Sequence, residues 1–386
     1  MIDKKIEDIT REDLEYLVSD NIPENRTLEY KRELHYSSDS EKKEFLADVS
    51  SFANSGMGDL IFGIGEDDES HLELCGIDID EETVDEFKQS VENRIRDNIR
   101  PRIRVKIKAI DIENGKIALI IRIYNSFNGP HCVEFKNIRK FFTRNSNGKY
   151  QMDVDEIRQK FLLSDTFIDK IKNFKIDRLM KILSNETYYK MPDKPKVVLH
   201  IIPIQAFDIS AKEVNLEELK GNNSIKLFGE LGGYQRINFN GIFYYRSLDK
   251  VVRSYVQIYK KGIVEAVDVD ILDHLNNEKY IPTVLLEIKS IELIKYYIEL
   301  LESYRIQKPY YIFMSLLNVK DYKLAIEGGL NGHSIQENIL QLNNVVYDED
   351  TESIDKMLKP LFDDIWNAAG LLECLHYDEN GNYKYR

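Results

Sequence analysis

The chain has 386 residues, 42% of them apolar and 31% charged, with a formal net charge of -14. That length and apolar content give two or three domains a sizeable core and exclude wholesale disorder. The acidic balance excludes indiscriminate polyanion binding by the whole surface, but it leaves room for a local basic groove. Cys75, Cys132 and Cys374 form no CxxC pair, so reduced thiols in a cytoplasmic protein are expected, not a zinc ribbon or a disulfide framework. The first residues carry no apolar signal core and no run of 18 apolar residues occurs, so no membrane partner is expected. The 23 tyrosines are read as compositional bias.

In chain order, residues 6–20 read as a short amphipathic helix interrupted at Thr10 or Arg11, with Ile6, Ile9, Leu14, Leu17 and Val18 on its apolar side. Residues 27–31 alternate as a strand. Ser38 stands three before Glu41, a capping box, and Phe45, Leu46, Val49, Phe52 and Ala53 follow at helical spacing until Gly56 and Gly58 break it. Leu60-Ile61-Phe62 with Ile64 is a near-continuous apolar run, the pattern of a central strand buried on both faces. A second helix is predicted over 82–99, ended by Pro101. Residues 100–108 alternate strictly, with Arg100, Arg102, Arg104, Lys106 and Lys108 on one face. Asn114-Gly115 turns the chain into a strand over 116–124, and Phe141–Arg144 reads as the last strand of this unit, followed by a loop.

A helix from Val154 to about Leu183 looks like a connector, and Lys190–Pro195 is a composition break. Strands are predicted at 197–202, 237–245, 255–259, 263–267 and 310–316. Helices are predicted at 280–304 and 351–372, and the last 13 residues read as frayed or peripheral. The fold class is therefore α+β: a first domain over 1–150, a helical connector over 151–190, and a second α+β domain over 191–386.

The chemistry concentrates in residues 24–67. Glu29 and Lys31 are two apart on a strand and share a face, and Glu24 reaches them if the chain turns between. A second strand ends in Glu66-Asp67. Carboxylates beside a lysine suit a hard divalent ion and a phosphodiester. By spacing alone Glu-x-Lys is too common a triplet to decide anything. The stripe from Arg100 to Lys108 either tracks a phosphate backbone or is a solvated edge strand. Three other patterns are set aside. Glu287 and Lys289 lie on a predicted helix and not on a nuclease strand. His131-Cys132 lacks partners at zinc spacing. Gly229–Gly233 lacks a phosphate-loop ending and reads as a turn.

Three blocks taken in order are more specific: Glu24-Asn-Arg-Thr-Leu-Glu29-Tyr-Lys31, then Val49-Ser-Ser-Phe52-Ala53-Asn54, then Leu60-Ile-Phe-Gly63-Ile64. Together they resemble the Schlafen AlbA-like domain over about residues 10–150, with Arg144 in the final strand. The resemblance implies a mixed sheet with helices, nucleic-acid binding, and endoribonuclease activity on structured RNA such as tRNA. It implies catalytic positions at Glu24, Glu29, Lys31, Glu66 and Asp67, with Mn2+ or Mg2+ held by Glu24, Glu29 and Glu66. A glutamate stands at 66 where the family has aspartate, Gly65 replaces an acid, and Met57 replaces a glycine. The nucleic-acid face expected is Arg100, Arg102, Arg104, Lys106, Lys108 and Arg144. A single AlbA-like copy implies a homodimer, and restraint of a toxic nuclease implies a sensor or assembly role after 190, as in stress or antiphage defence. The alternative is a DNA- or RNA-binding transcriptional regulator or accessory protein that uses the same domain without catalysis.

Overall fold

The computed structural model describes residues 1–385 except 36, 68–70, 80–82, 209–210, 212, 222–224, 229–232, 273–278, 327–331, 349–350 and 352. The proposed turn at Gly229–Gly233 thus lies almost wholly outside the described residues. Two compact units, Met1–Thr166 and Phe167–Arg386, make up the chain.

The first unit is layered. It runs α1 (Arg11–Ser19), β1 (Leu28–Lys31), α2 (Asp39–Ser55), β2 (Gly58–Phe62), β3 (Ile64–Glu66), β4 (Leu72–Leu74), α3 (Val84–Asn98), β5 (Ile99–Arg100), β6 (Val105–Asp111), β7 (Ile117–Ile123), β8 (Cys132–Phe135), β9 (Ile138–Asn145) and β10 (Gly148–Gln151). One sheet has the order β1-β2-β7-β6 and a second β10-β9-β8-β5, while β3 and β4 form a separate hairpin. Side-chain alternation sorts the central strands between two cores. Leu60 and Phe62 of β2, with Ile117, Leu119, Ile121 and Ile123 of β7, pack with Phe45, Val49 and Phe52 of α2 and Val91 and Ile95 of α3. Ile61, Ala118 and Ile120 face the other way, onto Ile6, Ile9, Leu14 and Leu17. Each fully buried side chain of this kind contributes about 1.5–3 kcal/mol.

The predicted signals hold at the helix starts. Ser38 and Glu41 form the reciprocal capping box of α2, and Gly56 caps its end at positive φ. Gly58 has no room for a side chain, because a Cβ there would lie 2.4 Å from the Phe52 ring. Asn54, at the end of α2, donates to the carbonyls of His131 and Phe142, both at 2.8 Å, and accepts from the His131 N–H at 2.7 Å. That one amide fastens α2 to the second sheet. Arg122 and Asp59, cross-strand partners, form a buried two-pronged ion pair at 2.7 and 2.9 Å and also hold the backbone of residues 2–4.

Three expectations are corrected here. The 100–108 alternation is not one strand: Arg100 ends β5 in the second sheet, Arg102 and Arg104 lie in an extended stretch, and Lys106 and Lys108 sit on β6 in the first sheet. Pro101 offers no N–H to a ladder, so the pairing changes there. Phe141–Arg144 is not the last strand, since β9 turns directly into β10. The predicted 237–245 strand is a hairpin.

The second unit contains an antiparallel seven-stranded sheet, built from β11 (Lys196–Pro203), β12 (Tyr234–Asn238), β13 (Gly241–Leu248), β14 (Val251–Tyr259), β15 (Val264–Asp268), β17 (Tyr310–Leu317) and β19 (Ile339–Tyr347) in the order β12-β13-β14-β15-β11-β17-β19. A small parallel pair, β16 (Tyr280–Pro282) and β18 (Lys323–Ala325), lies apart. The helices are the second half of α4 (Val154–Leu183), a short α5 (Leu216–Gly221), α6 (Thr283–Ser303) and α7 (Ile354–Ala368). The division between units falls inside α4, within the stretch read from sequence as a connector. α6 and α7 cover one face of the sheet, over Val197, Leu199 and Ile201, while Leu179 and Ile182 of α4 cover the other over Val198, Tyr255 and Val267.

The last 13 residues are not peripheral. Cys374, His376, Tyr377 and Tyr383 are buried. The cause is Glu287, a buried carboxylate on α6. It accepts from Trp366 Nε1 at 3.1 Å, Tyr383 OH at 2.9 Å and Cys374 Sγ at 3.5 Å, and it bonds His376 Nδ1 at 2.7 Å. A buried charge needs such donors, and three of the four come from the tail. A chain ending at Glu373 is therefore expected to unfold its second unit at lower denaturant concentration, with a loss of at least about 3 kcal/mol. Tryptophan fluorescence of Trp366, the single tryptophan, reads this directly.

Candidate functional site

β1 lies at the edge of the first sheet, parallel to β2. Its alternation sends Leu28 and Tyr30 into the core beside α1. Glu29 and Lys31 therefore face α2, as their spacing predicted. Lys31 Nζ meets Glu29 Oε1 at 2.7 Å. From the second sheet, Arg144 Nη2 meets Glu29 Oε2 at 2.6 Å, and its guanidinium lies 3.7 Å above the Phe52 ring. Arg144 and Lys149 are direct cross-strand partners in the β9–β10 hairpin and so project from the same face. Like charges placed opposite each other repel unless they face anions. Here they do. Lys149 Nζ bonds Asp48 Oδ1 and Glu44 Oε1 of α2, both at 2.5 Å, and Lys31 lies 4.0 Å from Asp48 Oδ2.

The result is a chain of alternating charge, Arg144–Glu29–Lys31–Asp48–Lys149, drawn from β1, α2 and one hairpin. Arg144 and Asp48 have side chains only 3% exposed, whereas Lys31 is 37% exposed and is the cation a ligand meets first. Burial alone would raise the Glu29 carboxyl, but the hydrogen bond from Lys31 and the charges of Lys31 and Arg144 hold it below the usual range. Asp48 goes the other way. Burial and the neighbouring Glu29 charge push it up to about 6, against the pull of Lys149 and Lys31. Burial disfavours the charged form of Lys31, yet Asp48 and Glu29 raise it above its ordinary value.

The remaining predicted residues divide. Glu24 is exposed, and its carboxylate accepts from the Tyr30 N–H at 2.8 Å, so the chain does turn back toward β1. Glu66 and Asp67 stand on the β3–β4 hairpin. Arg32 crosses that hairpin, donating to the Glu66 carbonyl at 2.5 Å and pairing with Glu73 at 2.5 Å. A Cβ at Gly65 would sit 2.9 Å from the Arg32 side chain, so there is little room for a larger residue there. Asp67 accepts from the His71 N–H at 2.9 Å. Lys106 pairs with Glu7 at 2.6 Å, and Lys108 donates to the Glu7 and Ile9 carbonyls at 2.6 and 2.5 Å. Arg104 stacks on Tyr124 at 4.1 Å, Arg100 bonds the Arg96 carbonyl, and Arg102 is exposed.

Asp48 and Lys149 are members of this charged seam that sequence reasoning missed. Asp48 had a signal: a charged residue among Phe45, Val49 and Phe52 on a helix face that is otherwise buried. Lys149 had none without the hairpin register.

Glu24, Glu29 and Glu66 do not fit a ready-made divalent-metal site. Both oxygens of Glu29 are held by cations and one oxygen of Glu24 by a backbone N–H. Among the described residues, Glu287, Cys374 and His376 are the group of metal-type donors whose ligand atoms all lie within 4.8 Å of one another. There the 2.7 Å separation of His376 from Glu287 is that of a hydrogen bond. Cys75, Cys132 and Cys374 are free thiols, and no described helix is long and apolar enough to cross a membrane.

Two sheets enclosing helices, with a charged seam where β1, α2 and a hairpin converge, define an α+β domain with a polar site at the sheet edge. Residues 24–153, the larger part of the first unit, match the family model described as Schlafen, AlbA_2. The N-terminal domain of a RecG-related protein from Nitrosomonas europaea, solved by NMR, is 16% identical, with 36% of this chain and 90% of that one covered and a TM-score of 0.27. The crystal structure of the DIP2311 protein from Corynebacterium diphtheriae is 14% identical, covering 36% of this chain and 26% of that one, with a TM-score of 0.22. No curated protein matches the chain.

The ion pairs carry a stability signature. Because the Glu29 carboxyl is held below its ordinary 4.5 in the folded state, its contribution is complete above 4.5 and is lost as pH falls through the folded value. Glu29→Gln is expected to cost about 2 kcal/mol at neutral pH. The gap from the wild type should narrow below pH 4.5 in denaturant unfolding.

Proposed function

We propose that the first unit binds a nucleic-acid backbone at the Glu29–Lys31–Arg144 seam and cleaves structured RNA of the tRNA kind. The observation that carries this reading is the gathering of Lys31, Arg144 and Lys149 around two carboxylates at the edge of the first sheet, where Lys31 reaches solvent. Cations so held can meet a phosphate and offset charge building on a phosphorane. Lys31 supplies the reachable charge, and Glu29 fixes Lys31 and Arg144 relative to each other. Exposed Arg100 and Arg102 extend the contact away from the seam. Mn2+ or Mg2+ would be held by Glu24 and Glu66 beside Glu29, whose oxygens already accept from Lys31 and Arg144, and no step is assigned to it here. In this reading the protein works in the cytoplasm as a homodimer, with the second unit as sensor or assembly module in stress or antiphage defence.

A second reading, binding without cleavage in a regulator, is favoured by one observation: both oxygens of Glu29 already accept from cations of the protein. The two readings separate in one experiment. The full chain is incubated with tRNA and with single-stranded RNA, with Mn2+ and with a chelator. Cleavage that drops roughly a hundredfold in Glu29→Gln, with RNA binding retained, supports the nuclease. Intact RNA that is nevertheless bound supports the regulator. Absence of binding to both RNA and DNA overturns both.

A further inference from the structure

Asp48 is the unused group in the seam. Its side chain is 3% exposed, it lies on α2 between two lysines, and no chemistry assigned above needs it. Every charged group around it is identifiable. From β1 come Glu29 and Lys31, from β9 Arg144 through Glu29, from β10 Lys149, and from its own helix Glu44.

With Asp48 ionised, Arg144, Lys31 and Lys149 face Glu29, Asp48 and the more exposed Glu44, three cations against three carboxylates, so the cluster is balanced. A phosphate that approaches Lys31 or Lys149 meets a carboxylate already bonded at 2.5 Å to one of them and 4.0 Å from the other. In a seam this buried, Coulomb interactions are stronger than at an open surface. The internal anion therefore competes with the external one for the same cations.

We propose that Asp48 sets the affinity of this seam for nucleic acid by occupying Lys149 and Lys31 in place of backbone phosphate. The proposal rests on the nucleic-acid reading of the seam and adds to it the residue that limits binding. Neutralising Asp48 leaves the cluster with one positive charge in excess, so the effect has an unusual sign: loss of a buried charge paired with Lys149 tightens binding. Burial and the Glu29 charge push the Asp48 carboxyl up to about 6, so the same gain of positive charge is expected in the wild type as pH falls through that range.

The test measures binding of a labelled RNA hairpin to the full chain between pH 5.5 and 7.5 at several salt concentrations. Wild type, Asp48→Asn and the double variant with Lys149→Gln are compared, with thermal unfolding recorded for each. Asp48→Asn is expected to bind roughly three- to tenfold more tightly at pH 7.5 and to steepen the slope of log affinity against log salt by about 1. The wild type is expected to approach it as pH falls to 5.5, and Lys149→Gln to remove the gain. A folded Asp48→Asn that binds no more tightly than the wild type overturns the proposal. So does a wild type whose affinity is flat from pH 7.5 to 5.5, which decides the matter even if the variant does not fold. A wild type that binds neither RNA nor DNA defeats the underlying reading instead, a result distinguishable from the other two.

Discussion

The first unit depends on one carboxylate. Glu29 is almost wholly buried, and such a charge persists only where partners compensate for the lost water. Its two oxygens take a lysine from its own strand and an arginine from a hairpin more than a hundred residues later. The hairpin cannot leave without stranding Glu29, and α2 lies between the two, its Phe52 ring under the arginine. Sheet, helix and hairpin are thus held by electrostatics at the place where the apolar core ends.

Buried carboxylates recur in the second unit, and comparison sharpens what is particular about the seam. Glu265 is met by both arms of Arg178 at 2.8 Å, by His200 at 3.0 Å and by the Tyr255 hydroxyl at 2.8 Å, all inside the protein. Glu287 is satisfied by donors from α7 and the tail. In both, these partners are themselves shielded. Around Glu29 one partner, Lys31, reaches solvent. Two of these three carboxylates work as internal fasteners, and the third offers a handle.

Much of this was legible from the chain alone, because periodicity reports burial. The run at Leu60–Ile64 marks a strand covered on both faces, residues 116–124 read as a strand, and the Ser38–Glu41 box marks a helix start through local bonds. Glu29 and Lys31 share a face by strand geometry. What escaped depends on contacts distant in sequence. Arg100–Lys108 alternates perfectly, yet a proline divides it between two sheets, and pattern alone does not say which sheet a strand joins. The polar tail looked peripheral because its anchor, Glu287, lies some ninety residues earlier. Asp48 looked like an ordinary helix residue until the second sheet closed over it.

The turn between β9 and β10 spans only Ser146 and Asn147, and it reads as the sort of polar loop that tolerates change. Its length is what sets Arg144 opposite Lys149. One residue more or less shifts the pairing by one place and sends one of the two cations to the far side of the sheet. Composition of that turn is free to drift, but its residue count is part of the site.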